Sequence, residues 1–440
     1  MTIVSNWSNY PKVNSKLYGI TSKAELSQKL KLNGDYIVRG NGRCYGDASL
    51  NDSILSCLPM NKFLSFDTET GIIEVQSGVL LDDILKVTVP KHWFLPVTPG
   101  TKFITIGGAV ASDVHGKNHH LEGSISNHII SLEIMLADGS TVSCSRTNNK
   151  DLFWATCGGM GLTGIILSVK FMLKPIKSAF IAQKSYKAQS LDEILELFER
   201  TSGSTYSVAW IDCLKGGKHF GRSLLFTGEH YDPESGKVKL KEPFKTHSDP
   251  IINIPFNFPG IALNKYTIKL FNMVYYNKLM GSSKESIDHY DPFFYPLDAI
   301  LNWNRMYGKR GFTQYQFVLP ISEKKGLEKI LRRIQSEGMG SFLAVLKVFG
   351  EQNDLISFPM KGYTLALDFA IHPKLFSFLN ELDEMVLSYG GRIYMTKDSR
   401  MNKDFFWKSY SRLEEFVEII KKYNPEAKIN SLLSKRLEII

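Results

Sequence analysis

"GNGRCYGD" (Gly40–Asp47) follows the apolar run of "DYIVRG" and holds three glycines, an arginine and a tyrosine in eight residues. Glycine at that density after a strand-like run predicts a loop whose backbone is approached closely. Two further stretches share this character, "PVTPGTKFITIGGAVASDVHGKN" (Pro96–Asn118) and "GSISNH" (Gly123–His128). Each follows a β-like or apolar run and exposes consecutive backbone N–H groups, an arrangement that holds anions such as a pyrophosphate. "GGMGLTG" (Gly158–Gly164) fits GxGxxG from Gly159 onward, but the context is reversed. A helix-like "DLFWATCG" precedes it and an alternating "IILSVKFML" follows, whereas a Rossmann site needs a strand before and a helix after. These glycines predict a tight turn against a ligand or a neighbouring strand.

Outward from the loops, the periodicity alternates between short strands and helices up to about residue 176. "GIIEVQSGV" (Gly71–Val79) has period two and "LLDDILKVTV" (Leu80–Val89) has helical spacing. "HIISLEIMLADGSTVSCS" (His128–Ser145) predicts a hairpin around Ala137-Asp138-Gly139. Beyond Ser190 the pattern becomes helix, strand, strand, helix, strand, strand, helix, from "LDEILELFER" (Leu191–Arg200) to "LFSFLNELDEMVLSYGG" (Leu375–Gly391). That succession predicts an α+β second domain, one antiparallel sheet with helices on a single face.

Composition narrows the function classes. A chain of 440 residues suggests two domains. No stretch approaches the ~20 continuous apolar residues of a membrane span, and "MTIVSNWSNYPK" lacks the pattern of a secretion signal. Five cysteines without a CxxC pair predict free thiols and a cytoplasmic setting. The net charge of +9 is compatible with phosphorylated small molecules or an anionic membrane surface; no basic stripe predicts nucleic acid. His115, His119 and His120 invite a metal reading, but no Cys, Asp or Glu at suitable spacing completes a ligand set. No metal is expected.

The order "GNGRCYGD", "VQSGVLLDDIL", "LPVTPGTKFITIGGAVASDVHGKN", "LADGS", "GGMGLTGIILSV" resembles the FAD domain of vanillyl-alcohol-oxidase (PCMH-type) flavoproteins. Within that group, nearly the whole chain is similar to the decaprenylphosphoryl-β-D-ribose 2-oxidase family. The likeness rests on stretches such as "DVHGKNHH", "LFWATCGG", "ALNKYT", "YPLD", "WNRMYG", "QYQFVLP", "SFLAVLKVFG", "FPMKGY", "RIYMTKDSR" and the terminal "RLEII". The resemblance implies a two-subdomain FAD-binding domain over 1–176, a substrate domain over 177–391, and a segment 392–440 that returns to the FAD domain. It implies oxidation of the 2-hydroxyl of a polyprenyl-phosphate pentose to a ketone, as half of a ribose-to-arabinose epimerisation for cell-envelope glycans. A separate short-chain NAD(P)-dependent keto-reductase and a quinone or other electron acceptor would complete the system. The stretch Ile252–Lys284 joins two halves of the second domain and mixes aromatic and apolar residues with Lys and no acid. It reads either as a buried linker or as a flap that touches an anionic bilayer, with peripheral contact at the inner face of the plasma membrane.

Residue by residue, the resemblance places FAD against Arg39, Gly40, Asn41, Gly42, Arg43, Cys44 and Tyr45, and against Pro99, Gly100 and Thr101. Gly107, Gly108, Val110, His115, Gly116, Asn118, Asn127 and Ile165 complete that set. It places Lys117, Trp210, Gln314, Gln316, Lys347, Phe349, Thr364 and Lys397 around the substrate, with Lys397, Tyr45 and His115 as the catalytic candidates. A histidine that carries the flavin in covalent relatives falls at Arg43, so noncovalent FAD is implied. A cysteine and an asparagine near the flavin in the family fall at Ala366 and Thr364, which leaves the exact sugar open.

The same residues carry readings of their own. Gln314 and Gln316 share one strand face, either buried or turned to solvent. Trp210 shares a face with Val208, and core packing alone would explain it. Lys347 in "AVLKVF" is a charge in an apolar strand and calls for an anionic partner. Lys397 ends a strand beside Asp398 and could be an ordinary exposed lysine. Alcohol oxidation needs a hydride acceptor and a proton acceptor; a lysine whose pKa is depressed by burial suits the second role. Lys397 is the first candidate and Tyr45 the second, with Lys117 and Lys347 as cations for a phosphate. Two other functions fit: the same flavin chemistry on a soluble sugar, aldonolactone or other alcohol, and flavin binding without turnover.

Overall fold

Period-two alternation between Phe180 and Ile393 builds an eight-stranded antiparallel sheet. The computed structural model describes residues 1–440 except 33, 237, 251, 261, 262, 353 and 354. The strand order is Ser283–His289, Phe180–Ala188, Ser223–His230, Tyr206–Ile211, Val345–Phe349, Gly362–Ala370, Phe312–Pro320 and Arg392–Ile393. Its register sets Gln314 opposite Asp368, Gln316 opposite Ala366, and Lys347 opposite Thr364. Tyr315, Phe317, Leu346, Leu365 and Leu367, one residue out of phase, enter the main core instead. Helices Leu191–Arg200, Lys324–Glu337 and Leu375–Ser388 bury Ile194, Phe198, Ile330, Leu331, Phe378 and Leu382 against that face. One slip of register would send the polar set into the core, so burial fixes which side chains face the other way.

That other face is only partly open. Helix Lys265–Asn277, within the stretch 252–284 that joins two halves of the second domain, covers Trp210 and Leu224 through Tyr276. Ala262, at the start of "ALNKYT", lies outside the described residues.

The first 176 residues form two smaller sheets and a two-stranded pair, Trp93–Phe94 with Lys174–Pro175. Val13–Gly19, Ser53–Ser56 and Ile37–Arg39 run parallel, with Thr2–Val4 on the outer edge. The five-stranded antiparallel sheet runs Phe63–Phe66, Ile72–Gln76, Ile165–Met172, Ile129–Met135, Thr141–Ser145. The hairpin around Ala137-Asp138-Gly139 pairs Met135 with Thr141, and Gly139 takes a φ of +84° while Asp138 accepts from the Ser140 amide. "GGMGLTG" sits between helix Lys150–Thr156 and strand Ile165–Met172, the order its context predicts.

The last residues return to this first domain. Helix Leu413–Tyr423 packs on helix Lys150–Thr156, with Lys422 2.7 Å from Asp151. Asn51 donates to the carbonyl and side chain of Asn430. Among the described residues, Cys44, Cys57, Cys144 and Cys213 form no disulfide. Among the described residues, no helix is long and apolar enough to cross a membrane.

Candidate active site

A cavity of about 330 Å³ opens where the open face of the large sheet meets the glycine loops. Gly40, Asn41, Gly42, Arg43, Cys44 and Tyr45 line one wall, and Pro99, Gly100, Thr101, Gly107, Gly108 and His115 the next. The sheet contributes Gln314, Gln316, Val345, Lys347, Ala366 and Asp368, and the returning segment contributes Tyr394, Thr396 and Lys397.

The glycines serve two purposes here. A Cβ on Gly40 would stand 2.2 Å from the Thr105 hydroxyl, and one on Gly46 1.4 Å from the Asp398 carbonyl. These positions let three loops lie against each other. Gly42, at φ +62°, turns the first loop in the left-handed region. Around it, the amides of Asn41, Gly42 and Arg43 engage no hydrogen bond among the described residues. The second loop differs: the Gly107 amide donates to Ser77, and the Gly108 amide to Thr105, the cap of helix Ile106–Ala111. Among the described residues, amides without a hydrogen bond run from Gly40 to Cys44 in the first loop and include Gly100 and Thr101 in the second.

On the sheet side, polar groups form two short networks. The Gln314 amide donates to Asp368 at 2.6 Å, and the Tyr307 hydroxyl reaches the other carboxylate oxygen at 3.3 Å. The Gln316 amide donates to His115 Nε2 at 3.1 Å and to the Thr364 hydroxyl at 3.3 Å. With Nε2 accepting, His115 carries its proton on Nδ1, which is buried and has no partner. Burial first, then Lys347, His119 and Lys397, hold its pKa well below the ordinary histidine value, so the ring is neutral. Phe349 packs behind this ring at 4.7 Å, outside the cavity wall.

Lysines dominate the charge. Lys397 Nζ lies 3.7 Å from the centroid of the Tyr45 ring, a cation–π distance. Enclosure lowers its pKa, with Asp368 and then Cys44 opposing. Enclosure raises Asp368, opposed by Gln314, then Lys397. Lys347 is pushed down to about 7 by burial and then by Lys397. Tyr45 rises well above 10, first through burial and then through Asp368, and stays a phenol at neutral pH.

Some expected site residues stand elsewhere. Lys117 donates to the Phe293 carbonyl and lies 4.3 Å from that ring, across the domain seam. Trp210 donates to the Phe342 carbonyl at 3.0 Å and packs on Tyr275. Arg39 ties down the N-terminal strand region through Ser5 and Asn6. Asn118 donates to the Pro96 carbonyl, and Asn127 to that of Glu122. Val110, Gly116, Ile165 and Thr364 are also behind the wall, where Ile166 takes the place expected of Ile165. Sequence reasoning passed over Asp368, Asp298, Trp7 and Met160, which do line it. Asp368 had a signal: an acid in the apolar strand "YTLALDFAI" needs a partner as much as Lys347 does.

A family model described as an FAD binding domain matches residues 21–145. The chain is 36% identical to the decaprenylphosphoryl-β-D-ribose oxidase of Mycolicibacterium smegmatis, over 92% of this chain and 89% of that protein. It belongs to the decaprenylphosphoryl-β-D-ribose oxidase family. More distant relatives include a putative D-arabinono-1,4-lactone oxidase of Neurospora crassa, 30% identical over 52% of this chain and 40% of that one. An L-gulonolactone oxidase of Mus musculus is 30% identical over 39% of this chain and 40% of its own length. The protein is an FAD-dependent oxidoreductase acting on a CH–OH group.

The cavity fits that cofactor. The unpartnered amides of residues 41–43 suit an anionic pyrophosphate, and the orphaned Nδ1–H of His115 suits an acceptor atom of the ring system or the substrate. The large sheet supplies the wall opposite these loops.

Proposed function

We propose that the protein oxidises the 2-hydroxyl of a polyprenyl-phosphate-linked pentose to a ketone. The observation that carries this reading is Lys347. Its amine faces the cavity from the middle of an apolar strand and has neither an ion pair nor a hydrogen bond among the described residues. A substrate phosphate would supply the anion this position lacks. The full-length likeness to an oxidase named for decaprenylphosphoryl-ribose supports the same substrate class. FAD, when bound, supplies the hydride acceptor. The neutral Lys397 amine takes the hydroxyl proton, and Asp368 and the Tyr45 face stabilise the ammonium that results. Gln314 and Gln316 hold the sugar hydroxyls, and His115 donates from Nδ1.

A keto product calls for a separate reductase, an NAD(P)-dependent keto-reductase being the natural class, and a quinone or similar acceptor returns the electrons. Unpaired cysteines support a reducing compartment, and a lipid-linked substrate supports peripheral work at the inner membrane face. Anaerobic titration tests the reading. A polyprenyl-phosphate ribose should bleach the yellow protein and free pentoses or aldonolactones should not; bleaching by the soluble sugars alone would overturn it.

Two further outcomes are expected. Arg43 stacks 3.9 Å over Trp7 at the place where a histidine would be needed for a ring linkage, so FAD is held without a covalent bond. Acid precipitation should release all flavin into the supernatant; yellow colour in the pellet would refute this. Lys347→Met should raise the substrate KM at least about tenfold, the scale of losing a charge-assisted hydrogen bond. It should also flatten the pH dependence of stability. The folded pKa of Lys347, about 7, lies below the ordinary lysine value, so between the two the unfolded chain binds more protons. Wild-type stability therefore rises with pH across that window, and the variant should gain less. Melting curves from pH 7 to 10 give the comparison; parallel profiles would place the lysine in an open, solvated site.

A further inference from the structure

Helix Lys265–Asn277 is built inside out. Its inward residues are Ile268, Asn272 and Tyr276, and Asn272, fully buried, donates to Asp212 at 2.8 Å. Its outward residues are apolar: Tyr266 is 71% exposed, Leu270 58%, Met273 48% and Val274 62%. At about 100° per residue these four fall within roughly 100° of arc, a continuous stripe on the solvent side. Phe256, at 63% exposure, and Met280, at 90%, extend the apolar surface before and after the helix. A helix in a monomer buries such a stripe, so this one has a partner.

We propose that this outward face docks on an anionic lipid bilayer, with the helix lying in the plane of the headgroups. The charges select that partner over a protein. From Ile252 to Lys284 the sequence holds Lys265, Lys269, Lys278 and Lys284 and no acid. Lys265 and Lys269 follow one border of the stripe in the same helical projection. Lysine is depleted from protein interfaces, whereas lysines bordering aromatic and aliphatic side chains are the signature of an interfacial helix on acidic lipid.

The position of the helix deepens the proposed function, on which this part of the inference rests. Beneath the helix lies a second cavity of about 190 Å³, lined by Lys265, Ile268, Tyr307 and Phe342. Asp368 belongs to the walls of both cavities. The bilayer-facing helix thus roofs the approach to the acid beside Lys397, the side from which a sugar phosphate on a membrane-embedded tail would arrive.

Co-sedimentation of the holoenzyme with vesicles tests the docking without any substrate. Vesicles of phosphatidylglycerol in phosphatidylcholine should bind at low salt at least about tenfold more tightly than phosphatidylcholine alone, and high salt should release the protein. The double variant Leu270→Glu, Val274→Glu changes only exposed side chains, so its flavin spectrum and melting point should match the parent, while vesicle binding falls at least about tenfold. Undiminished vesicle binding by this variant would overturn the proposal. So would a lipid-free dimer that the same variant dissociates, since the stripe would then belong to a second copy. The two readings fail separately: vesicle binding with no flavin bleaching by lipid-linked pentose sinks the substrate, and bleaching in detergent without vesicle binding sinks the docking.

Discussion

Flavin reduction by substrate in Lys397→Ala is expected to fall at least ~100-fold, with folding and FAD content intact. The expectation rests on position and on protonation. Lys397 follows the edge strand Arg392–Ile393 of the large sheet and enters the cavity over the Tyr45 ring of the first glycine loop. It is half-buried, and its open side faces the cavity rather than bulk water. Enclosure lowers its pKa, so a useful fraction is neutral near physiological pH. Tyr45 cannot replace it, because the same enclosure, with Asp368, pushes the phenol pKa well above 10. The reduction rate of the wild type should therefore rise with pH and level off below the ordinary lysine value, and that rise should vanish in the variant. Lys397→Arg separates a base from a positioning cation: arginine keeps the charge but does not release its proton, so it should not restore the rate. Stopped-flow reduction gives both answers. A near-normal rate in Lys397→Ala would leave the lysine as scaffolding, and restoration by arginine would reduce its role to charge.

How much of this site the sequence disclosed depended on what each signal reports. Period two reports faces, and it set Gln314 with Gln316 and sent Tyr315 and Phe317 the other way, as the sheet has them. A charge in an apolar strand reports a missing partner; the rule reached Lys347 and, applied to "YTLALDFAI", would have reached Asp368. Neither signal reports what covers a face further along. Trp210 pairs directly with Val345, which lines the cavity, yet Tyr275 and the Phe342 carbonyl claim it. The helix responsible was illegible because its periodicity is inverted: apolar residues point outward, so its pattern does not announce a buried face. Glycine spacing has a related blind spot. It reports that something comes close and not what; at Gly40 and Gly46 the neighbour is the protein's own Thr105 or Asp398, while the amides of residues 41–43 engage no hydrogen bond among the described residues.

Gly46→Ala therefore tests the fold rather than the cofactor, and it is expected to cost about 3–5 kcal/mol, a large share of the ~5–15 kcal/mol that holds a typical domain folded. The added Cβ would lie 1.4 Å from the Asp398 carbonyl oxygen and 2.4 Å from its carbon, so a backbone must move. An ordinary overpacked core loses about 1–3 kcal/mol because side chains can shift. Here the displaced segment is pinned on both sides. Tyr45 donates its amide to Thr396 at 3.0 Å, and Asn6 donates to the Gly46 carbonyl at 2.8 Å. Arg436 binds Asp47 through two nitrogens at 2.9 Å each and Asp398 at 2.8 Å. Moving Asp398 away from Arg436 leaves an enclosed carboxylate short of its cation, the costly half of a broken ion pair. The shift also carries Lys397, the next residue back, away from Tyr45. Gly100→Ala is the matched control: it lines the same cavity, but its Cβ would meet no protein atom within 4 Å. Denaturant curves of the two flavin-free proteins should show Gly100→Ala within about 1 kcal/mol of the parent and Gly46→Ala far below it or insoluble. Restored flavin should separate them the other way, with any loss in Gly100→Ala confined to FAD retention. Equal stability of the two variants would mean that the returning segment yields freely at Asp398, and that the first glycine loop is kept open for the cofactor alone.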